Sequence, residues 1–258
     1  VDVLGKGYLI LDDVVIARWQ RGLLDLPKVI DTSTGQYVWG FCVVVLLWTN
    51  GWIRLPLAFR VCWSDEGEGR NKHTLAMELL LWAVEQGFKP EYVLFDAGYA
   101  SKELLSKIHG LGWSFVTRLR KNRLLDGRQL KHHGSPFWVK EGKLKGLGFL
   151  VKVLRRGNFY LCTNATELPK HQILEIYRIR PNIEEAFRGL QQELGWQGHR
   201  HHKREKLAAH LALGFLSYAL IEFHRSRSNH KMTFYQYRRK LISGAIPPDL
   251  SPLLEFAA

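Results

Sequence analysis

The sequence predicts an α/β protein, a mixed sheet flanked by helices, with a β-rich insertion before the last helical part. Three observations carry this. Over residues 1–120, short strand-like apolar runs alternate with stretches of helical spacing. Residues 121–165 are basic, Gly-punctuated and strand-prone, and from 166 to 258 the apolar spacing turns helical. We therefore expect a core begun by 1–120, interrupted by an insertion at 121–165 and completed by 166–258.

The elements follow in order. "YLILD" (8–12) is a short apolar run that ends in acid. "YVWGFCVVVLLWT" (37–49) and "WIRLPLAFRVCW" (52–63) flank Asn50-Gly51, a strong hairpin signal. Pro56 has no N–H to give a ladder, so the second strand should be an edge strand or bulged. After a Gly-rich turn, "KHTLAMELLLWAVEQG" (72–87) has helical spacing and a glycine stop. "YVLFD" (92–96) is a second buried run ending in acid. "SKELLSKIHGLG" (101–112) reads as a helix with a serine cap, and "SFVTRL" (114–119) as a strand. "GFLVKVLR" (148–155) and "FYLCTN" (159–164) are strand candidates, followed by helices at 170–179, beyond Asn182, and at 205–225, the last read as a long core helix. No internal repeat or low-complexity segment interrupts the series.

Charge points to a partner. The 258 residues carry 37 basic against 24 acidic side chains, a formal net charge of +13. Part of the excess sits in "RLRKNR" (118–123) and "HRHHKREK" (199–206), and several such runs together favour a polyanion, with nucleic acid foremost. Cys42, Cys62 and Cys162 are too widely spaced for a disulfide framework or zinc motif, which fits a reducing cytoplasm. The apolar run 41–48 is too short to span a membrane, and no signal peptide is present. The chain opens on Val1 rather than Met, from which we expect further residues to precede it in the natural protein.

Two of the predicted strands deliver an acid at their C-terminal end: Asp12, with Asp13 beside it, and Asp96. On neighbouring strands these ends would lie about 5 Å apart. Two carboxylates so close repel and lose hydration, and a hard divalent ion such as Mg²⁺ reverses that balance. A third carboxylate would complete a site for two-metal displacement at phosphorus. "YRIRPNIEEAFRGLQQELGW" (177–196) can supply it. Proline is tolerated in a first helical turn, so the helix should begin near Pro181, with Glu184 where the helix dipole favours an anion. Ile183, Phe187, Leu190 and Leu194 form its apolar stripe, and Glu185 competes with Glu184. Tyr177 and Arg180 lie just upstream, within reach of a phosphate or a base.

The spacing Tyr177-x2-Arg180-x3-Glu184 resembles the Y-R-E-K signature of DDE transposases of bacterial insertion sequences, of the insertion-sequence family four type. "VLFDAGYAS" (93–101) and "LILDD" (9–13) resemble that family's second and first acid blocks, and three strands, helix, strand matches its RNase H-like core. The resemblance implies a catalytic and metal-binding triad of Asp12, Asp96 and Glu184. Asp12 is preferred because it falls at the predicted strand end, with Asp13 as alternative; Val14 and Val15 stand where the family often has a hydroxyl residue. It also implies two Mg²⁺ or Mn²⁺ ions, nicking at transposon ends and strand transfer into target DNA. Tyr177, Arg180, Arg188 and Gln191, the last where the signature has lysine, would contact DNA together with Arg118, Lys121 and Arg123. A homodimer in the cytoplasm, at the bacterial nucleoid and away from membranes, completes the expectation. Gln191 and the abrupt start also admit a transposase-derived DNA-binding protein that does not cut, and the core admits an RNase H-like nuclease.

Overall fold

The computed structural model describes residues 6–17, 28–31, 34–63, 71–198, 203–228 and 231–244. The Gly-rich turn at 64–70 and the histidine-rich start of the second basic run, 199–202, lie outside the described residues. The elements are β1 (Tyr8–Ala17), β2 (Lys28–Asp31), β3 (Gln36–Thr49), β4 (Arg54–Cys62), α1 (Lys72–Glu85), β5 (Tyr92–Phe95), α2 (Lys102–Gly110), β6 (Phe115–Arg118), β7 (Leu124–Leu125), β8 (Arg128–Gln129), β9 (Phe137–Gly142), β10 (Val151–Arg156), β11 (Phe159–Thr163), α3 (Lys170–Tyr177), α4 (Asn182–Arg188), α5 (Arg204–Arg227) and α6 (Phe234–Ile242). A π-helical segment, Gly189–Glu193, continues α4.

The main sheet runs β2-β3-β1-β5-β6-β11-β10-β9, with β4 also paired to β3. β1 is antiparallel to β3 and parallel to β5, and β5 is parallel to β6. Within 121–165 only the β7–β8 pair stands off this sheet. β11 pairs with the edge of β6, and β10 and β9 follow it outward. The β-rich stretch thus extends the core sheet.

Local chemistry accounts for the boundaries. Asn50 Oδ1 accepts from the amides of Trp52 (3.1 Å) and Ile53 (3.0 Å), and Gly51 has φ +94°, so β3 and β4 join through a four-residue loop. β4 is an edge strand, and its register to β3 slips between Leu46 and Leu47, beside Pro56. Both manage the missing donor. Asn71 closes a capping box on α1, and Ser101 accepts from Leu104 N to cap α2.

Strand alternation divides the core in two. Leu9, Leu11, Val93 and Phe95 pack with α1 and α2 on one face. Ile10, Leu94 and Val45 pack with Ile173, Ile183, Leu190, Leu207 and Leu211, from α3 to α5, on the other.

Two expectations need correcting. Asp12 is not at a strand end, because β3 pairs with β1 through Ala17 and keeps it extended five residues past Asp12. α5 is not buried all round: Leu213 is 64% and Leu216 51% exposed, while Leu207, Leu211, Phe215 and Tyr218 dock. By length and composition alone α5 is apolar enough to cross a bilayer, which the sequence reading did not allow. Here it instead packs one face against the sheet and buries Glu222 paired with Arg225 at 2.6 Å.

Candidate active site

The β1–β5 register pairs Ile10 with Leu94, and its offset carried two residues on sets Asp12 beside Asp96. Asp12 shares the face of Ile10, which α4 covers, whereas Asp96 directly follows β5 and its Oδ1 lies by Gly98 on the side of Lys72 Nζ. Pro181 directly precedes α4, and its carbonyl accepts from Glu184 N at 3.0 Å, which puts Glu184 in the first turn. Ile183, Ala186, Phe187 and Leu190 dock this helix. Its start is tied down by a buried polar chain. Arg54 Nε donates to Asn182 Oδ1 at 2.9 Å, Arg54 Nη1 reaches Glu222 Oε1 at 3.4 Å, and Arg225 Nε donates to Glu222 Oε2.

Arg180 connects the acids. Its Nη2 donates to Asp12 Oδ2 at 2.5 Å, and its Nη1 donates to Glu184 Oε1. Asp12 is 13% exposed and Glu184 53%, so one guanidinium spans from a buried carboxylate to a wet one. Burial, reinforced by the charges of Asp13 and Asp96 and only partly offset by Arg180, pushes Asp12 up to about 7. For Arg180, burial works against the cation, yet Asp12 and then Glu184 outweigh it and raise its value. Burial also pushes the Tyr177 phenol up to about 12 against the nearby cations of Arg180 and Arg118.

Asp13 points the other way. It shares the face of Leu11, where it accepts from Tyr99 OH (2.7 Å), Lys72 Nζ (3.0 Å) and Cys42 Sγ (3.4 Å). Burial, followed by the Asp13 charge, raises Tyr99 well above the usual phenol range. Sequence reasoning missed Lys72 and Cys42 altogether. Tyr99 carried a weak signal, three residues after Asp96 in the second acid block.

The donor set of Asp12, Asp96 and Glu184 is hard oxygen with excess negative charge in a partly dry site, which fits Mg²⁺ or Mn²⁺. Among the described residues no three Asp, Glu, His or Cys side chains converge closely enough to hold one ion. Arg180 instead bridges two of these acids.

The remaining nominated residues divide. Arg118 has a buried Nε without a partner, and its guanidinium lies 4.4 Å from the Phe159 ring centroid. Arg180 Nε is likewise buried and unpartnered. Arg123 donates to Ala100 O at 2.9 Å, and Arg188 pairs with Glu185 at 2.8 Å, so both are partly engaged within the chain. Lys121 is exposed. Gln191, in the π-helical segment, lines a cleft of about 340 Å³ together with Glu184 and Arg188. Tyr177 and Arg178 line a larger cavity of about 520 Å³ with Arg156 and Phe159.

Comparison with known proteins gives this geometry a context. A structure of the piggyBac transposase synaptic complex with hairpin DNA superposes with a TM-score of 0.60 at 9% identity, over 91% of this chain and 51% of that one. The chain therefore spans about half the length of that transposase, and the likeness speaks for the fold. The NurA nuclease from Sulfolobus solfataricus, at 9% identity over 88% of this chain and 86% of that one, reaches a TM-score of only 0.34 and carries no argument. No curated protein matches by sequence. The family described as the transposase DDE domain matches residues 54–220, a stretch that contains Asp96 and Glu184 and begins after β1. Since that match covers more than half of the sequence, this chain belongs to the transposase DDE domain family.

Proposed function

We propose that this chain is the catalytic part of a DNA transposase that cuts DNA at the ends of a mobile element and joins the freed 3′-hydroxyl to target DNA. The observation that carries the reading is that Asp12, set beside Asp96 by the β1–β5 register, is joined through Arg180 to Glu184 in the first turn of α4. Asp12, Asp96 and Glu184 would hold two Mg²⁺ or Mn²⁺ ions. When bound, such ions would supply Lewis-acid charge for the attacking and leaving oxygens.

The chain's own groups do the rest. Arg180 partly offsets the burial that raises Asp12 and holds Glu184 toward it. Tyr177 keeps its proton at neutral pH, so its hydroxyl donates to a phosphate oxygen. Arg118, its guanidinium held over the Phe159 ring, adds positive charge for a neighbouring phosphate. Lys121, Arg123 and Arg188 contribute positive charge along the backbone, and Gln191 contributes an uncharged amide beside Glu184. The Y-R-E spacing favours the insertion-sequence family four type. A homodimer that brings two ends together, acting at the bacterial nucleoid, belongs to the same proposal.

The test is nicking of supercoiled plasmid in Mn²⁺, followed by joining of a 3′-hydroxyl oligonucleotide to target DNA. We expect both activities from the parent chain and neither from Asp96→Ala. Nicking without joining would replace transposase by nuclease. Cleavage at the parent rate by Asp96→Ala would overturn the site.

A further inference from the structure

We propose that Asp13, Tyr99 and Lys72 form a latch that holds Asp12 and Asp96 in register, as positioning residues for the reaction proposed above; the inference rests on that reading of the site. The β1–β5 ladder ends at Ile10 and Leu94, two residues short of the two acids. Backbone pairing between these strands therefore stops before the residues whose spacing matters.

Side chains continue where the ladder stops. After β5 the chain turns: Asp96 Oδ1 accepts from Gly98 N at 2.8 Å, and Tyr99 N donates to Asp96 O at 3.2 Å. The Tyr99 side chain, fully buried, crosses back to β1 and donates to Asp13 Oδ1 at 2.7 Å. Lys72, the first residue of α1, donates to the same oxygen at 3.0 Å, with its Nζ 4.9 Å from the Tyr99 ring centroid. Cys42, on β3, donates to the other carboxylate oxygen. Four elements thus meet on one carboxylate: β1, β3, α1 and the turn that carries Asp96.

Gly98 shows how tightly the turn is set. A β-carbon there would lie 2.9 Å from Asp96 Oδ1 and 3.3 Å from Lys72 Nζ, so the ammonium and the acid flank the same glycine. Because Asp12 and Asp13 face opposite sides of β1, the strand is gripped by Arg180 from one helical layer and Lys72 from the other. Asp13 is thereby a support for the site, its oxygens already taken by donors. Groups that orient metal-binding side chains typically account for about 10–100-fold in metal affinity or activity.

The experiment compares the parent chain with Tyr99→Phe, Lys72→Met, Lys72→Arg and Asp96→Ala. For each, Mn²⁺ affinity is read by electron paramagnetic resonance, plasmid nicking in Mn²⁺ is timed, and a melt in EDTA reports the folded fraction. We expect Tyr99→Phe and Lys72→Met to be folded at the assay temperature, to bind Mn²⁺ roughly tenfold or more weakly, and to nick correspondingly slower. Lys72→Arg, which keeps the charge, should recover part of both. If Lys72→Met unfolds, Tyr99→Phe, which removes one oxygen atom, decides alone. Parent-like Mn²⁺ affinity and nicking in Tyr99→Phe, beside an Asp96→Ala that has lost both, overturns the latch. If Asp96→Ala itself retains both, the site reading fails and takes the latch with it.

Discussion

Asp12→Asn should stabilise this protein at pH 8 while abolishing metal-dependent cleavage. Burial, only partly offset by Arg180 and reinforced by Asp13 and Asp96, pushes the Asp12 carboxyl up to about 7. In the unfolded chain an aspartate titrates near 3.9. Between those values the folded state binds the extra proton, so stability is greatest below about pH 4 and falls as pH rises toward 7. Two-state linkage makes the loss about 4 kcal/mol at pH 8, of which about 1.5 kcal/mol is already gone at pH 5. Asparagine removes the titration but forfeits a charge-assisted hydrogen bond from Arg180, about 1.5–3 kcal/mol. The variant should therefore be more stable than the parent by about 1–3 kcal/mol at pH 8 and no more stable at pH 5. At about 2–4 °C per kcal/mol for a domain approaching this size, the melting temperature rises by about 2–12 °C at pH 8. Paired melts of parent and variant in EDTA at the two pH values isolate Asp12 from every other titrating group. A difference that is equal at both pH values, or a variant less stable at pH 8, would refute the account. Added Mn²⁺ should raise the parent's melting temperature and leave the variant's nearly unchanged.

Three further outcomes follow from the packing and charge. Glu222→Ala leaves the buried Arg225 cation, and in part Arg54, without its carboxylate, and should cost about 3–5 kcal/mol in urea denaturation. Gly214→Ala drives a β-carbon into the fully buried indole of Trp196 and should destabilise by about 1–3 kcal/mol, with near-UV circular dichroism reporting the displaced ring. Arg118→Ala should weaken DNA binding without changing sequence preference, and should lower the slope of log affinity against log salt by about 1. An unchanged slope would remove Arg118 from the phosphate contacts.

Much of the fold was legible in the sequence, because its signals were local. Asn50-Gly51 announced the β3–β4 connection, Pro56 an edge strand with a bulge, Ser101 the start of α2, and Pro181 the start of α4. Each rests on what one or two residues permit their own backbone to do. Where a partner far along the chain decided the matter, the local reading stopped short. β1 looked like five residues ending in acid, but β3 extends it to Ala17. The basic, Gly-punctuated stretch read as β-rich, but that its strands join the sheet at the open edge of β6 depends on long-range pairing the local reading does not reach.

The same division holds for the site. Predicted strand ends, a proline-marked helix start and a family resemblance nominated Asp12, Asp96, Tyr177, Arg180 and Glu184, all of them legible along the chain. The preference for Asp12 over Asp13 rested on a strand end that β3 moves to Ala17, and neighbours on a strand otherwise differ only in the face they point to. That face is defined by what packs against it: α4 and Arg180 on one side, α1 and Lys72 on the other. The sequence by itself determined which groups are available and roughly where helices and strands begin. Only the tertiary structure decided which acids share a face and which cations answer them, because those contacts join residues dozens of positions apart, from Asp13 to Lys72 and from Asp12 to Arg180.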